Sequence, residues 1–389
     1  VDLRRRLHRN PEQGNHLPLT RALVLSELES LPLEVTQHET TSGLAAVLRG
    51  ARPGPTILLR GDMDALPVPE DTGLPFASER AGFMHACGHD MHAAMLAGAA
   101  RLLASRRDEL AGSVLFMFQP GEEGFFGARL MLEEGLLDTA GERPSGAFAL
   151  HVSNLYPSGT VWFRAGPQMA ATDEVAITIR GKGGHASTPH LAFDPIPVAA
   201  EIILAVETAV TRRINVFEPG VITFARVDAG ATHNVIPETA RLLGTVRALS
   251  ETTRTQLHSI LRRVAGNVTA AHGVEAEVEF GVGYPVTVNH PGYTAFVRSV
   301  ARQALGEDQV NEPPWPSMGG EDFSYVLDEV PGTMAYLGTC PRGREPGRVP
   351  NNHSNRVVFD EDAMAIGVAL HAAVALAHGD GGFHGGLDS

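Results

Sequence analysis

Apolar positions along this chain recur with two periods, and the switches between them mark out its elements. Helical spacing predicts helices over Val1–His8 and Leu19–Leu31, broken at Asn10-Pro11. Short apolar runs at Leu44–Leu48, Thr56–Leu59, Val114–Phe118 and Ala147–Leu150 read as buried strands. Helical patterns over Asp90–Arg106 and Ala128–Glu134 alternate with them. Strands alternating with helices imply an α/β layer around a mixed, largely parallel sheet. Ligands of such sheets gather where strands end, and Asp62, Cys87, Glu122 and His151 lie at or near such ends.

Near Gly166 the pattern changes. Glu174–Arg180 alternates like a strand with one exposed face, and Pro195–Arg212 reads as a helix. Strands over Val221–Val227 and Arg241–Val246, a helix over Glu251–Ala271 and a strand over Glu275–Phe280 follow. Strand-helix-strand-strand-helix-strand is the order of a ferredoxin-like α+β unit. After Pro285 helical patterns return at Gly292–Ala304, Glu321–Leu327 and Asp360–Ala377. Residues 167–282 are therefore expected to form an inserted domain, with residues 1–166 and 283–389 making one discontinuous domain. The Gly-rich tail His378–Ser389 reads as mobile.

A chain of 389 residues, 43% hydrophobic and 20% charged, has the composition of a globular protein with room for two domains. Its formal net charge of −14 argues against nucleic acid or an anionic membrane as partner. Two cysteines cannot make a disulfide framework, and no apolar run reaches membrane-span length. A cytoplasmic location is expected.

The chemistry concentrates in Met84-His85-Ala86-Cys87-Gly88-His89-Asp90-Met91-His92. An isolated Cys-x-His would read as a buried thiol beside helix-capping groups. Clustering with His85, Asp90 and His92 favours metal ligation instead, with His85 and His92 as supporting groups and Asp90 as a helix N-cap. In Gln119-Pro120-Gly121-Glu122-Glu123, adjacent carboxylates on an irregular loop can point in different directions. One can bind metal while the other serves as a base. His151, closing an apolar run, and His353, in Asn351-Asn352-His353-Ser354, complete the candidate donors. Asp64 reads as a carboxylate that orients a ligand histidine, and Asp62 reads equally well as that or as a solvated turn. Gly181–Ser187 is glycine-rich but has no phosphate-binding spacing.

Together these residues resemble the dinuclear-metal amidohydrolases that include aminoacylases, hippurate hydrolases, carboxypeptidase G and auxin-conjugate hydrolases. Arg60–Pro67, Met84–His92, Gln119–Glu123, Gly183–Pro189, Asn234–Pro237 and Met318–Phe323 carry the likeness in family order. The Cys-Gly-His-Asp form is similar to the hippurate and auxin-conjugate branch. The resemblance implies a zinc-peptidase-like catalytic domain with an inserted lid and dimerisation domain. It implies two divalent ions per subunit (Zn, Mn, Co or Ni), bridged by Cys87. His89 and His151 would complete one site, and Glu123 and His353 the other. Glu122 would be the general base. His185 would steady the oxyanion in a neighbouring subunit's site, with Asn234 and Arg247 contacting substrate.

The resemblance thus implies hydrolysis of an N-acyl amino acid by a metal-bridging water, in a homodimer. A dipeptidase or carboxypeptidase with the same site is the alternative enzyme, and a non-catalytic metal-binding protein the alternative outside enzymes. Two departures stand out. Asp62 occupies a position where other branches carry a histidine ligand, and Gln13–Leu19 lacks the acidic residue usual after the first Pro-Glu.

Overall fold

The computed structural model describes residues 1–383 and 385. Contacts divide the chain into two compact units. One comprises Val1–Gln168, Val288–Trp315 and Asp322–Ser389; the other comprises Met169–Thr287 and Pro316–Glu321. Pro316–Glu321 groups with the second unit although it follows residue 283 in the chain.

The first unit is built on an eight-stranded sheet. Its strands run in the spatial order Glu34–Gln37, Leu44–Arg49, Ala111–Gln119, Arg52–Asp62, Gly146–Pro157, Gly332–Cys340, Val161–Trp162 and Val310–Asn311. The four neighbouring strands from Ala111–Gln119 to Gly332–Cys340 are parallel to one another, and the flanking pairs include antiparallel ones. Parallel strands buried on both faces need continuous apolar runs, and Ile57, Leu58, Leu59, Val114, Phe116, Phe118, Phe148 and Leu150 supply them. Helices His89–Ser105 and Ala363–Gly379 pack together against this sheet. Among the described residues no helix is long and apolar enough to cross a membrane.

Four expectations need correction. Gly332–Cys340 is a central strand that the sequence pattern does not announce. Its Gly-Thr-Met-Ala-Tyr-Leu-Gly-Thr-Cys sequence has few β-branched residues and glycines at both ends. The helix expected from Asp90 starts one residue earlier, at His89, with Gly88 at the cap position. Asp90 is not a cap: its Oδ2 lies 2.8 Å from Arg4 Nε and 2.7 Å from His8 Nδ1, tying the first helix to this one. Over Glu321–Leu327 only Ser324–Leu327 is helical. At the tail, His378 and Gly379 finish a helix, while positions 384 and 386–389 lie outside the described residues.

The second unit has a four-stranded antiparallel sheet ordered Gly220–Ala229, Thr239–Ala248, Ala171–Arg180, Glu275–Tyr284. This is the ferredoxin-like arrangement. Helices Pro195–Arg213 and Glu251–Ala271 cover it through a core that includes Ile177, Ile179, Ile202, Leu242, Leu257 and Leu261. Both helices begin on side-chain caps: Asp194 accepts from Ile196 N–H and Ser250 from Thr253 N–H.

Candidate metal centre

Four segments of the first unit bring the candidate donors together. Cys87 lies in the turn before helix His89–Ser105, where Gly88 adopts φ 90°. A side chain there would be strained and would place its Cβ 2.3 Å from Val152 Cγ2, so the turn requires glycine. His151 sits midway along strand Gly146–Pro157. Glu122 and Glu123 follow Ala111–Gln119, after Gly121 turns the chain at φ 66°. His353 comes from the late loop and holds φ 69°, unusual for a residue with a side chain, with its N–H 2.9 Å from Ala86 O.

Cys87, His89 and His151 offer ligand atoms within 4.8 Å of one another, and so do Cys87, Glu123 and His353. The two triads share the Cys87 sulfur. His89, Glu122 and Glu123 make a further overlapping group. Cys87 Sγ is 3.4 Å from His151 Nε2, and Glu123 Oε1 is 3.2 Å from His353 Nε2. His89 is wholly buried, and among the described residues neither ring nitrogen has an aligned hydrogen bond. Carboxylates nevertheless crowd it: Asp64 Oδ1 at 3.3 Å, Asp62 Oδ2 at 3.4 Å and Glu122 Oε2 at 3.9 Å. A buried ring with orphaned nitrogens among carboxylates and a thiol fits a cation, and this S/N/O donor set suits zinc or its first-row neighbours.

The local electrostatics agree. Hydrogen bonds to Cys87 and Glu123 push His353 up to about 10. Burial opposes charge on His89, but Asp62 and Cys87 outweigh it and raise the ring well above its ordinary value. Burial raises the Glu123 carboxyl, yet His353 and His89 draw it below the usual range. The pocket therefore favours positive charge. Burial pushes the Cys87 thiol up, with Glu123 adding to it, so its thiolate form depends on nearby cationic charge. Burial and then His92 hold His151 well below its ordinary value, as the neutral imidazole a metal needs.

Asp64 braces the carboxylate loop. Its Oδ1 and Oδ2 accept from the Glu122 and Glu123 N–H groups, each at 3.0 Å. Asp62 is no solvated turn: it is wholly buried, 2.7 Å from Arg60 Nη1 and 2.5 Å from His92 Nδ1. His92 Nε2 accepts from Val152 N–H at 2.8 Å. Both its nitrogens are thus engaged, which makes His92 a supporting group.

In the second unit, Gly184–His185 pairs with Val235–Ile236, bringing His185 beside Asn234. Ser187 N–H and Oγ lie 3.1 and 2.8 Å from His185 Nδ1. An N–H donor at Nδ1 leaves the neutral ring's hydrogen on Nε2. Arg247 lies on Thr239–Ala248, in register with Val221 and Thr172. It is half-buried, burial lowers its pKa, and among the described residues it forms no ion pair.

The model of Peptidase family M20/M25/M40 matches residues 58–377. The chain belongs to this family. It is 37% identical to "Thermostable carboxypeptidase 1" of Saccharolobus solfataricus, over 97% of this chain and 94% of the relative. It is also 37% identical to "N-acetylcysteine deacetylase" of Bacillus subtilis, over 97% and 96%. Among solved structures it is similar to the Bacillus subtilis YXEP protein, titled a dinuclear metal binding peptidase from M20 family. That match has a TM-score of 0.82, 34% identity and 96% coverage of both chains. The protein is thus a metal-dependent amidohydrolase or peptidase on the M20 fold.

Sequence reasoning missed the buried polar frame behind the donors. Arg60 Nε donates to Gln119 Oε1 at 2.8 Å, and Gln119 Nε2 donates to Asp322 Oδ1 at 2.5 Å. A wholly buried arginine closing an apolar strand needs carboxylate partners. The sequence Leu58-Leu59-Arg60-Gly61-Asp62 carried that signal.

Proposed function

We propose that this M20 enzyme hydrolyses the amide bond of N-acyl amino acids. The observation that carries the reading is the pair of donor triads sharing Cys87, with Glu122 beside them as a carboxylate outside both. Cys87, His89 and His151 would hold one divalent ion; Cys87, Glu123 and His353 would hold the other. Zinc, manganese, cobalt or nickel fits this donor set. Two such ions lower the pKa of a water and polarise an amide carbonyl.

The chain's own residues do the rest. Glu122 takes the proton of the attacking water at its carboxylate and delivers it to the leaving nitrogen. Asp64 holds the Glu122-Glu123 backbone, so base and ligand keep separate directions. His185, with its hydrogen on Nε2, donates to the oxyanion. Arg247, which forms no ion pair among the described residues, takes the free carboxylate of the amino-acid half, and Asn234 adds a contact beside His185. The named relative that deacetylates N-acetylcysteine supports this substrate class.

The second unit serves as lid and dimerisation domain, and His185 acts in the neighbouring subunit. Gly220–Ala229 is an edge strand with Val221 and Val227 exposed, and helix Pro195–Arg213 exposes Leu204. Apolar residues on an open edge suit pairing across a two-fold axis. Free thiols at Cys87 and Cys340 support a cytoplasmic setting.

The named carboxypeptidase relative favours a second reading, cleavage of peptides by the same site. The test is a panel of N-acetyl-, N-benzoyl- and indoleacetyl-amino acids and dipeptides, each with zinc, manganese, cobalt and nickel. Turnover of N-acyl amino acids above dipeptides is expected. Turnover confined to peptides would replace this reading with the second.

A further inference from the structure

We propose that Asn352 is a positioning residue for the metal centre, its one amide group tying together the segments that carry Cys87, His151 and His353. The inference rests on the ligand set proposed above. Asn352 Nδ2 lies 3.0 Å from Cys87 O and 3.0 Å from Val152 O. The two near partners are backbone carbonyls, with Cys87 Sγ further off at 4.0 Å; all three accept, so only the nitrogen end of the amide can face them.

Those carbonyls are well placed. One belongs to Cys87 itself. The other, Val152 O, also accepts from His151 Nδ1 at 2.9 Å. That bond puts the ring hydrogen on Nδ1 and leaves Nε2 bare towards Cys87 Sγ. The N–H of Val152 is held by His92 Nε2, so the residue whose carbonyl sets the His151 tautomer is fixed at both its N–H and its C=O. The third segment is the next residue in the chain. His353 sits at φ 69°, and its side chain is 56% exposed. Burial does not fix it as it fixes His89. Its backbone is held by the bond to Ala86 O and by the Asn352 side chain beside it.

Asn352→Asp separates a donor from a space-filler. It keeps the size but turns an acceptor oxygen towards two carbonyl oxygens. A space-filling residue would tolerate Asp better than Ala; a donor staple would not. Both Asn352→Asp and Asn352→Ala are expected to raise the zinc dissociation constant about 10–100-fold. Both should also speed deuterium uptake over residues 350–356 of the metal-free protein about tenfold or more. If Asn352→Asp does not fold, Asn352→Ser carries the same comparison.

Uptake at the wild-type rate in the Asp variant overturns the staple. Faster uptake with unchanged zinc affinity overturns the positioning role, because the staple would then hold only the loop. Wild-type protein that binds no zinc instead refutes the proposed ligand set, and this inference falls with it. Zinc binding by wild type that the variants match refutes the inference alone.

Discussion

Replacing Asp64 tests how much of the site's geometry depends on one carboxylate. Asp64 is 1% exposed and accepts two backbone N–H bonds at 3.0 Å, from the proposed base and from a proposed ligand. In Asp64→Asn one oxygen remains. The other position becomes an NH₂ group facing an N–H, so one bond is lost and one weakened. A hydrogen bond to a charged group contributes about 1.5–3 kcal/mol, and an unsatisfied buried N–H costs about 1–3 kcal/mol. Together these amount to roughly 3–5 kcal/mol, shared between stability and the alignment of Glu122. His89 also loses the carboxylate 3.3 Å from its Nδ1.

We expect kcat to fall about 10²-fold through displacement of the base, with metal affinity reduced about 10–100-fold. The melting temperature should drop by roughly 5–10 °C. Steady-state kinetics at saturating metal, metal titration and calorimetry on the same preparations separate the three effects. Asp64→Asn with wild-type kcat and metal content would refute the brace. A lowered melting temperature alone would reduce Asp64 to a structural role.

Four further outcomes follow from the same geometry. Glu122→Gln should lower kcat by about 10²–10⁴ with metal content retained, whereas Glu123→Gln should lower metal content first; the reverse pattern would exchange their roles. Chelation should abolish activity and added divalent metal restore it, so full turnover by demonstrably metal-free protein would sink the metal reading. Mixed dimers of Glu122→Gln and His185→Ala subunits should regain one working site, and mixed dimers shown to form but inactive would confine His185 to its own chain. Burial holds His371 at about 3 and His378 at about 4, below the ordinary histidine value. Between those values and about 6.5 the unfolded chain binds protons the folded chain does not, so stability falls with pH, by about 2 kcal/mol per histidine at pH 5. Urea midpoints from pH 7 to 5 should therefore shift less in His371→Leu than in wild type, and an equal shift would contradict this.

Periodicity placed most elements because local pattern and burial agree there. Helix Glu251–Ala271 begins and ends where its spacing indicated. It failed at Gly332–Cys340, whose identity as a strand comes from parallel pairing with Gly146–Pro157 and not from its own residues. Donor types were legible because thiol, imidazole and paired carboxylates rarely cluster by accident. Their support was not: the link from Asp90 to Arg4 and His8, and the Asn352 bonds to Cys87 O and Val152 O, join residues far apart in the chain. Left-handed backbone at His353 is equally invisible, since nothing in Asn-Asn-His-Ser demands it.

The late position of Gly332–Cys340 and His353 bears on how the protein is made. A chain leaving the ribosome N-terminus first presents Cys87, His89, Glu122, Glu123 and His151 roughly 200 residues before His353 emerges. Met169–Thr287 is nearly continuous and can fold during that interval. The strand that seats between Gly146–Pro157 and Val161–Trp162 arrives only after that interval. Until then the nascent sheet has an open slot and the cluster lacks one of its histidines. Synthesis order therefore delays assembly of the centre until the inserted unit has been made, and a product terminated shortly before His353 would carry that unit without a complete set of donors.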